Sequence, residues 1–221
     1  MGDEHNPSNV VVELSGSLTW TAKGGFIEGV TFRRPKISSG TPPTNDLLVV
    51  EGDGRVDVLN SVFDNDGCTG VVAKVSGKNM RKGRWKSAVL KGGELGLDIQ
   101  NGSVELIKGV IKGNKAGGVK CSGITSSISL LETKVEKNQG PGVHARERSH
   151  TKLNNCTFVN NRSIFKKENG CTSQCSGNNA FVKTVPSTSI PGFQMIQAEG
   201  KEEGKEATLE SSTVARKPIS P

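Results

Sequence analysis

Apolar and polar residues alternate along most of the chain in short runs that recur at nearly equal intervals. The pattern is clearest in three consecutive segments, 96–114, 118–138 and 142–161. Each segment opens with glycine and an apolar residue, passes through a polar stretch, and then alternates apolar with polar residues. Each ends on an apolar residue followed three positions later by asparagine: Ile111 and Asn114, Val135 and Asn138, Phe158 and Asn161. The closing apolar residues are 24 and 23 positions apart, so the chain contains an internal repeat.

Weaker copies of the repeat precede these segments, at 26–35, 56–66 and 84–93. Alternation indicates β-strands, because successive side chains of a strand point to opposite faces. A unit of this size with two or three short strands cannot bury its apolar side alone, whereas stacking on neighbouring units buries it. The repeat therefore predicts an all-β fold, a single-stranded parallel β-helix (solenoid) of about seven coils. Parallel connections are overwhelmingly right-handed, so we expect a right-handed β-helix.

The inward positions of these strands are expected to form the core. The predicted inward set includes Val58, Val62, Leu106, Val110, Leu130, Cys156 and Phe158.

The repeat also divides the chain into three parts. Residues 1–8 are predicted to be an N-terminal extension, 9–181 the β-helix, and 182–221 a mostly disordered tail. From residue 199 the tail consists mainly of charged and small residues, which cannot bury enough apolar surface to fold. Its five basic and five acidic residues cancel, so the net charge of +7 belongs to the preceding part of the chain. Such a surplus favours an anionic partner.

The recurring asparagines Asn114, Asn138 and Asn161 are interpreted as structural corner residues. A tight corner between strands needs a residue that tolerates positive φ, and asparagine does so better than most. Stacked asparagine side chains are also expected to hydrogen-bond to one another along the solenoid axis.

The repeat pattern resembles the right-handed β-helix of the pectin lyase-like superfamily. Within it, the spacing is most similar to the carbohydrate-binding and sugar-hydrolase (CASH) repeats of intracellular F-box adaptors of ubiquitin ligases and of an SH2-binding scaffold protein. The stretch SLTWTAKGGFIEGVTFRR at 17–34 resembles the opening coil of those proteins. The resemblance implies a fold and an adaptor or scaffold role. The sequence shows no F-box-like helical segment, so an adaptor role would need another region or another chain.

Targeting and membrane signals are not found in the sequence. No apolar run approaches the roughly 18 residues that a membrane helix needs, and the first thirty residues lack a basic start followed by an apolar core. The five cysteines are odd in number and mostly far apart, which favours reduced thiols. These features predict an intracellular protein, cytoplasmic or nuclear, without membrane attachment.

Catalysis is not expected, because polysaccharide enzymes with this fold stack acidic residues from adjacent coils. Aligning the coils on the closing apolar residue gives no column that stacks several acids beside a basic residue. Asp57 and Glu105 come closest, with a weakly defined coil between them. His144 and His150 are interpreted as parts of a solvated turn. A carbohydrate-binding module, or a lyase or hydrolase of the superfamily, stays open as the alternative function.

No metal site or cofactor is predicted. Cys171 and Cys175 have no second pair of cysteine or histidine residues downstream to complete a zinc site.

The candidate contact surface lies between Cys68 and Gly93, where the sequence has no acidic residue. Its basic residues are Lys74, Lys78, Arg81, Lys82, Arg84, Lys86 and Lys91. We expect the two arginines to grip a carboxylate or phosphate in a bidentate way and the lysines to act as point charges. The expected partner is therefore an acidic or phosphorylated protein segment, with carbohydrate as an alternative.

Trp85 lies among these cations, and its position allows two interpretations. It is either an exposed anchor of the contact surface or a core residue beneath a solvated loop. Nucleic acid is not expected, because Trp85 alone offers stacking there and the net charge is modest.

Overall fold

The computed structural model describes residues 6–36, 41–52, 55–77 and 82–183, and these ranges contain twenty-two β-strands and one 3₁₀ turn, Pro7–Asn9. The strands form three parallel sheets, here called A, B and C. Sheet A contains β1 (Val11–Glu13), β4 (Thr31–Arg33), β7 (Val62–Asp64), β10 (Val89–Lys91), β13 (Val110–Lys112), β16 (Lys134–Glu136), β19 (Thr157–Val159) and β22 (Ala180–Val182). Sheet B contains β2 (Leu18–Trp20), β5 (Leu48–Glu51), β8 (Ala73–Ser76), β11 (Leu95–Gln100), β14 (Gly117–Ser122), β17 (Pro141–Arg146) and β20 (Ser163–Lys167). Sheet C contains β3 (Phe26–Glu28), β6 (Asp57–Leu59), β9 (Gly83–Lys86), β12 (Ser103–Ile107), β15 (Ser127–Leu131), β18 (His150–Asn154) and β21 (Thr172–Ser176).

Each strand pairs with the third strand before it and the third strand after it, except that the strands at the ends of the sheets pair on one side only, so three strands make one coil. The predicted all-β parallel solenoid of about seven coils is confirmed. The described residues contain no α-helix. They therefore contain no helix with the length and apolar character needed to cross a membrane. The predicted tail lies almost entirely outside the described residues, and β22 extends to Val182. The domain boundaries at residues 8 and 181 stay predictions.

Side-chain alternation in the short strands builds the core. In sheet C the inward column runs Val58, Trp85, Leu106, Leu130 and Leu153, one residue per coil. The matching column of sheet A consists of the closing apolar residues of the repeat, including Phe63, Leu90, Ile111, Val135 and Phe158. Stacking the same kind of side chain on itself in every coil gives the solenoid one continuous apolar interior.

The predicted inward set is correct at five positions and wrong at two. Val58, Leu106, Leu130, Cys156 and Phe158 are buried. Val62 and Val110 are only half-buried, because each sheet A strand has three residues and only its middle residue faces inward. Consecutive side chains point to opposite faces, so Val62 and Val110 cannot share the inward face with the residues that follow them.

The predicted hydrogen bonding between the stacked asparagines is confirmed, but the prediction that these asparagines have positive φ is wrong. Positive φ falls one residue earlier, at Gly113 (66°), Lys137 (55°) and Asn160 (53°). Asn114, Asn138 and Asn161 turn their side chains inward instead and form a ladder. The Nδ2 of Asn114 donates to Oδ1 of Asn138 at 2.9 Å, and the Nδ2 of Asn138 donates to Oδ1 of Asn161 at 2.8 Å.

Candidate functional site

The outer face of β9 carries the densest part of the predicted contact surface. Lys82, Arg84 and Lys86 are exposed, whereas the intervening Gly83 and Trp85 are buried. We call these three cations, with the carboxylates of Asp57 and Glu105 beside them, the β9 surface. Strand alternation puts Arg84 and Lys86 on the same outward side, and Lys82 lies immediately before the strand.

The remaining predicted basic residues are not brought together with the β9 surface. Lys74 lies on β8 in sheet B, where its Nζ is 3.9 Å from Oδ2 of Asp46. Lys91 lies on β10 in sheet A and forms an ion pair with Asp64 at 2.7 Å. The other two predicted contact residues, Lys78 and Arg81, lie outside the described residues.

Trp85 is a core residue, so the prediction that it contacts a partner is wrong. Its side chain is fully buried, between Val58 of the preceding coil and Leu106 of the following coil. Its indole Nε1 donates a hydrogen bond of 3.1 Å to the backbone carbonyl of Val56. Trp85 therefore fixes β9 to the core and leaves the two cations that flank it facing outward.

The expectation that the basic segment has no local anion is also wrong, because the anions come from neighbouring coils. Glu105, one coil later, lies 2.5 Å from Nζ of Lys82 and 3.6 Å from Nε of Arg84. Asp57, one coil earlier, accepts a 2.8 Å hydrogen bond from the backbone N–H of Arg84. A column of two acids beside a base therefore exists, contrary to the sequence alignment of the coils. Arg84 stands in the coil that separates the two acids.

Arg55 stabilises the ionised form of Asp57. The guanidinium donates to both carboxylate oxygens, at 2.9 and 2.5 Å. Partial burial raises the pKa of Asp57, but the hydrogen bonds from Arg55 and from the Arg84 backbone, with the charges of both arginines, outweigh burial and leave that pKa below its usual value. Asp57 is therefore ionised at neutral pH. Asp57 is paired with Arg55, whereas the Arg84 guanidinium has Glu105 as its ion-pair partner at 3.6 Å and, with 69% of its side chain exposed, presents its other N–H groups to solvent.

A second polar column on sheet B was not anticipated. Its outward residues, one per coil, are Lys74, Asp98, Lys120, His144 and Lys166. The sequence does contain a signal for three of them, since each follows a glycine and an apolar residue at the opening of a repeat: Asp98, Lys120 and His144. Aligning the coils on their first strand rather than their last would have found this column.

Asp98 is the most buried carboxylate of this column. The residue is 5% exposed, and its Oδ2 accepts a 2.8 Å hydrogen bond from Gln100 and lies 3.8 Å from Nζ of Lys120. Its Oδ1 is buried and receives no hydrogen bond from the described residues. A buried acceptor without a hydrogen-bond donor lowers the stability of the fold.

Farther along the same face, His144 and Arg146 meet one carboxylate. The Nε2 of His144 lies 3.3 Å, and the Nε of Arg146 2.8 Å, from Oε1 of Glu168. Partial burial and the charge of Lys166 lower the pKa of His144 by more than Glu168 raises it. His144 is thus neutral at neutral pH. It belongs to a charged strand face rather than to the solvated turn that the sequence suggested, and His150 lies separately, on β18 of sheet C.

Within the described ranges, no three His, Cys, Asp or Glu side chains lie together in a way that would hold a metal ion. All five cysteines are free thiols; Cys171 is buried and Cys175 is exposed.

The sequence of the chain matches the model of a known protein family. The family described as the right handed beta helix region matches residues 46–200, which is more than half of the chain. No curated protein and no solved structure matches the chain significantly.

Proposed function

The chain belongs to the right-handed β-helix family, and on that premise we propose that it is a non-catalytic interaction scaffold for an acidic or phosphorylated segment of a partner protein. The observation that carries the proposal is the β9 surface. Three cations stand on one outward strip, anchored from beneath by the buried Trp85.

The chemistry of the β9 surface suits an extended anionic chain. The guanidinium of Arg84 presents a planar fork that matches carboxylate and phosphate groups, and Lys86 adds a point charge two residues along the strand. Lys86 has no ion pair with any residue in the described ranges. The pairs of Glu105 with Lys82 and Arg84 are solvent-accessible, and such pairs contribute only about 0–1 kcal/mol each. A carboxylate of the partner can therefore replace Glu105 beside Lys82 and Arg84 with little loss of free energy.

The state of the acids supports a non-catalytic role. Asp57 is ionised and engaged by Arg55, so at neutral pH it has no proton to donate as a general acid. Glu105 is engaged by Lys82 at 2.5 Å.

The surface also argues against nucleic acid as the partner. With Trp85 buried, the β9 surface offers no aromatic ring for base stacking.

The resemblance to intracellular F-box adaptors and scaffold proteins supports a role in the cytoplasm or nucleus, linked to ubiquitin-ligase substrate recognition. This placement is part of the proposal. Recovery of ubiquitin-ligase subunits with the protein supports it, and recovery of an unrelated assembly rejects the ubiquitin-ligase link.

The direct test is affinity capture from source cells with partner identification, comparing the wild-type protein with the double variant Arg84→Glu/Lys86→Glu. The matched control is Lys112→Glu/Lys134→Glu, which makes the same change in net charge on the outward face of sheet A. We expect the β9 variant to lose the captured partner and the control to keep it. Equal capture by all three proteins contradicts the proposal.

Carbohydrate binding is the second candidate, and Asp98 is the observation that favours it. Its Oδ1 is buried and has no donor among the described residues, and Lys120 and Gln100 lie beside it on sheet B; a turn of the Asp98 side chain would bring this atom to the outer face, where a sugar hydroxyl would supply the missing donor. Glycan-array binding that is lost in Asp98→Asn, together with unchanged capture of protein partners by that variant, would assign sugar binding to this face. Absence of any glycan signal rejects this candidate.

A further inference from the structure

A groove of about 400 Å³ lies at the corner that follows the sheet A strands of the last described coils. Three cations from successive coils line it. Lys137 follows β16, Arg162 follows β19 and Lys183 follows β22. The rest of the lining is made of amide side chains, among them Asn138, Gln139 and Asn161. The groove lies on another edge of the solenoid from the β9 surface, with which it shares no residue.

The three cations are not neutralised by neighbours within the described residues. Among the residues that the structure describes, no carboxylate lines the groove and none of the three cations takes part in an ion pair. Glu136, the residue next to Lys137, is bound by Lys134 at 2.8 Å. This contrasts with the β9 surface, where Glu105 of the following coil partners Lys82 and Arg84. Three uncompensated positive charges facing one groove create a local positive potential that favours an anion.

The asparagine ladder makes the floor of the groove rigid. The Oδ1 of Asn138 accepts a hydrogen bond from Asn114, and its Nδ2 donates to Oδ1 of Asn161 and to the carbonyl of Ile111. The backbone N–H of Arg162 donates to the carbonyls of Asn138 and Gly140, at 3.2 and 3.1 Å. The backbone that carries the guanidinium is thereby fixed to the ladder, which lowers the ordering cost of binding.

We propose that this groove is a binding site for a phosphate monoester group. A phosphate monoester carries nearly two negative charges at neutral pH, whereas one carboxylate would leave two of the three cations unneutralised. The guanidinium of Arg162 holds two phosphate oxygens at once, and Lys137 and Lys183 supply point charges. The volume lies within the range of about 300–1,000 Å³ that is usual for small-molecule sites, so the groove admits the group that bears the phosphate. This site does not depend on the proposed function of the β9 surface.

The site is tested by titrating the full 221-residue chain, labelled with ¹⁵N, and following backbone amide shifts at about 150 mM salt, where the Debye length is about 8 Å. The probes are inorganic phosphate, a short phosphoserine peptide and the same peptide without phosphate. Arg162→Gln and Lys137→Gln are the test variants. Lys152→Gln, an exposed lysine on sheet C, is the matched control.

We expect saturable shifts centred on Gln139 and Arg162 with the phosphorylated probes and no saturation with the unphosphorylated peptide. Arg162→Gln should weaken binding at least tenfold, while Lys152→Gln binds as the wild type does. A peptide that binds more tightly than inorganic phosphate identifies a phosphorylated protein as the source, and equal affinities identify a free phosphate group; both results uphold the site. Non-saturating shifts spread over the basic residues, or unchanged binding in Arg162→Gln, overturn it.

Discussion

Individual hydrogen bonds inside one corner hold successive coils in register. Asn138 is the central rung of the ladder, since its Oδ1 accepts from both the backbone N–H and the Nδ2 of Asn114, and its own N–H donates to Asn161. Asn114 and Asn138 are almost completely buried, so water cannot replace these bonds. A single side chain therefore satisfies polar groups of three coils.

Replacing Asn138 should destabilise the protein more than replacing the last asparagine of the ladder. Asn138→Ala leaves the buried N–H of Asn114 without an acceptor, and we expect a loss of about 2–3 kcal/mol in the free energy of unfolding. In Asn161→Ala the N–H and the Nδ2 of Asn138 lose their acceptor, but these two bonds are only partly buried, so water that enters the vacated position compensates and the expected loss is about 1 kcal/mol. Urea denaturation measures both. Equal losses would show that the ladder does not stabilise the fold in this way.

His144 gives the protein a defined pH dependence. Burial and Lys166 lower its folded-state pKa below the ordinary value of 6.5, so the unfolded chain takes up the proton first. The free energy of unfolding should therefore decline as the pH falls below 6.5. The charges that face the ring are Glu168, Arg146, Lys120 and Lys166.

His144→Gln should remove this part of the decline when urea denaturation is compared at pH 7.5 and at about pH 5.5, between the ordinary pKa values of histidine and glutamate. Glu168 does not interfere in this window, because its own pKa is lowered: burial raises it, but the bond and charge of Arg146 outweigh that effect. His150→Gln is the control and should keep the wild-type decline. If His144→Gln declines as steeply as wild type, another group causes the pH dependence.

At the scale of the strand, glycines let adjacent coils approach closely. Gly142 opens the repeat in β17, and a Cβ on it would lie 2.8 Å from the carbonyl oxygen of Ile164 and 2.8 Å from Cδ1 of Phe158. The sequence showed that each repeat begins with glycine and an apolar residue. It did not show why, because the atoms that exclude a side chain belong to other strands.

Gly142→Ala should therefore destabilise the protein by about 1–3 kcal/mol, since the methyl group forces the backbone of β20 or the ring of Phe158 to move. Gly24→Ala is the matched control, because a Cβ there meets no atom within 4 Å. Thermal or urea unfolding of the two variants gives the comparison. A stability loss in Gly24→Ala as large as in Gly142→Ala would contradict this packing.

At the scale of the molecule, stacking brings together residues that are far apart in sequence. The period of the repeat predicted the strands, their parallel stacking and most of the core, because these follow from local alternation. Trp85 and the carboxylates around Arg84 could not be predicted in the same way. Trp85 lies where the repeat is most distorted, and Asp57 and Glu105 are 27 and 21 residues from Arg84 in the sequence, so their proximity depends on the register between coils. The residues of the candidate site are therefore neighbours only because of the register in which the coils stack.

The central claim is that the outward cations of β9 bind an anionic protein segment, and the salt dependence of affinity tests it most directly. The partner segment identified by capture is titrated with the wild-type protein, Arg84→Glu/Lys86→Glu and Lys112→Glu/Lys134→Glu, from about 50 to 300 mM salt, which spans Debye lengths on either side of about 10 Å. We predict that wild type and control bind alike and weaken steeply with salt. The β9 variant should bind at least tenfold more weakly at low salt and approach the others at high salt. Identical affinities and identical salt slopes for all three proteins would contradict the account.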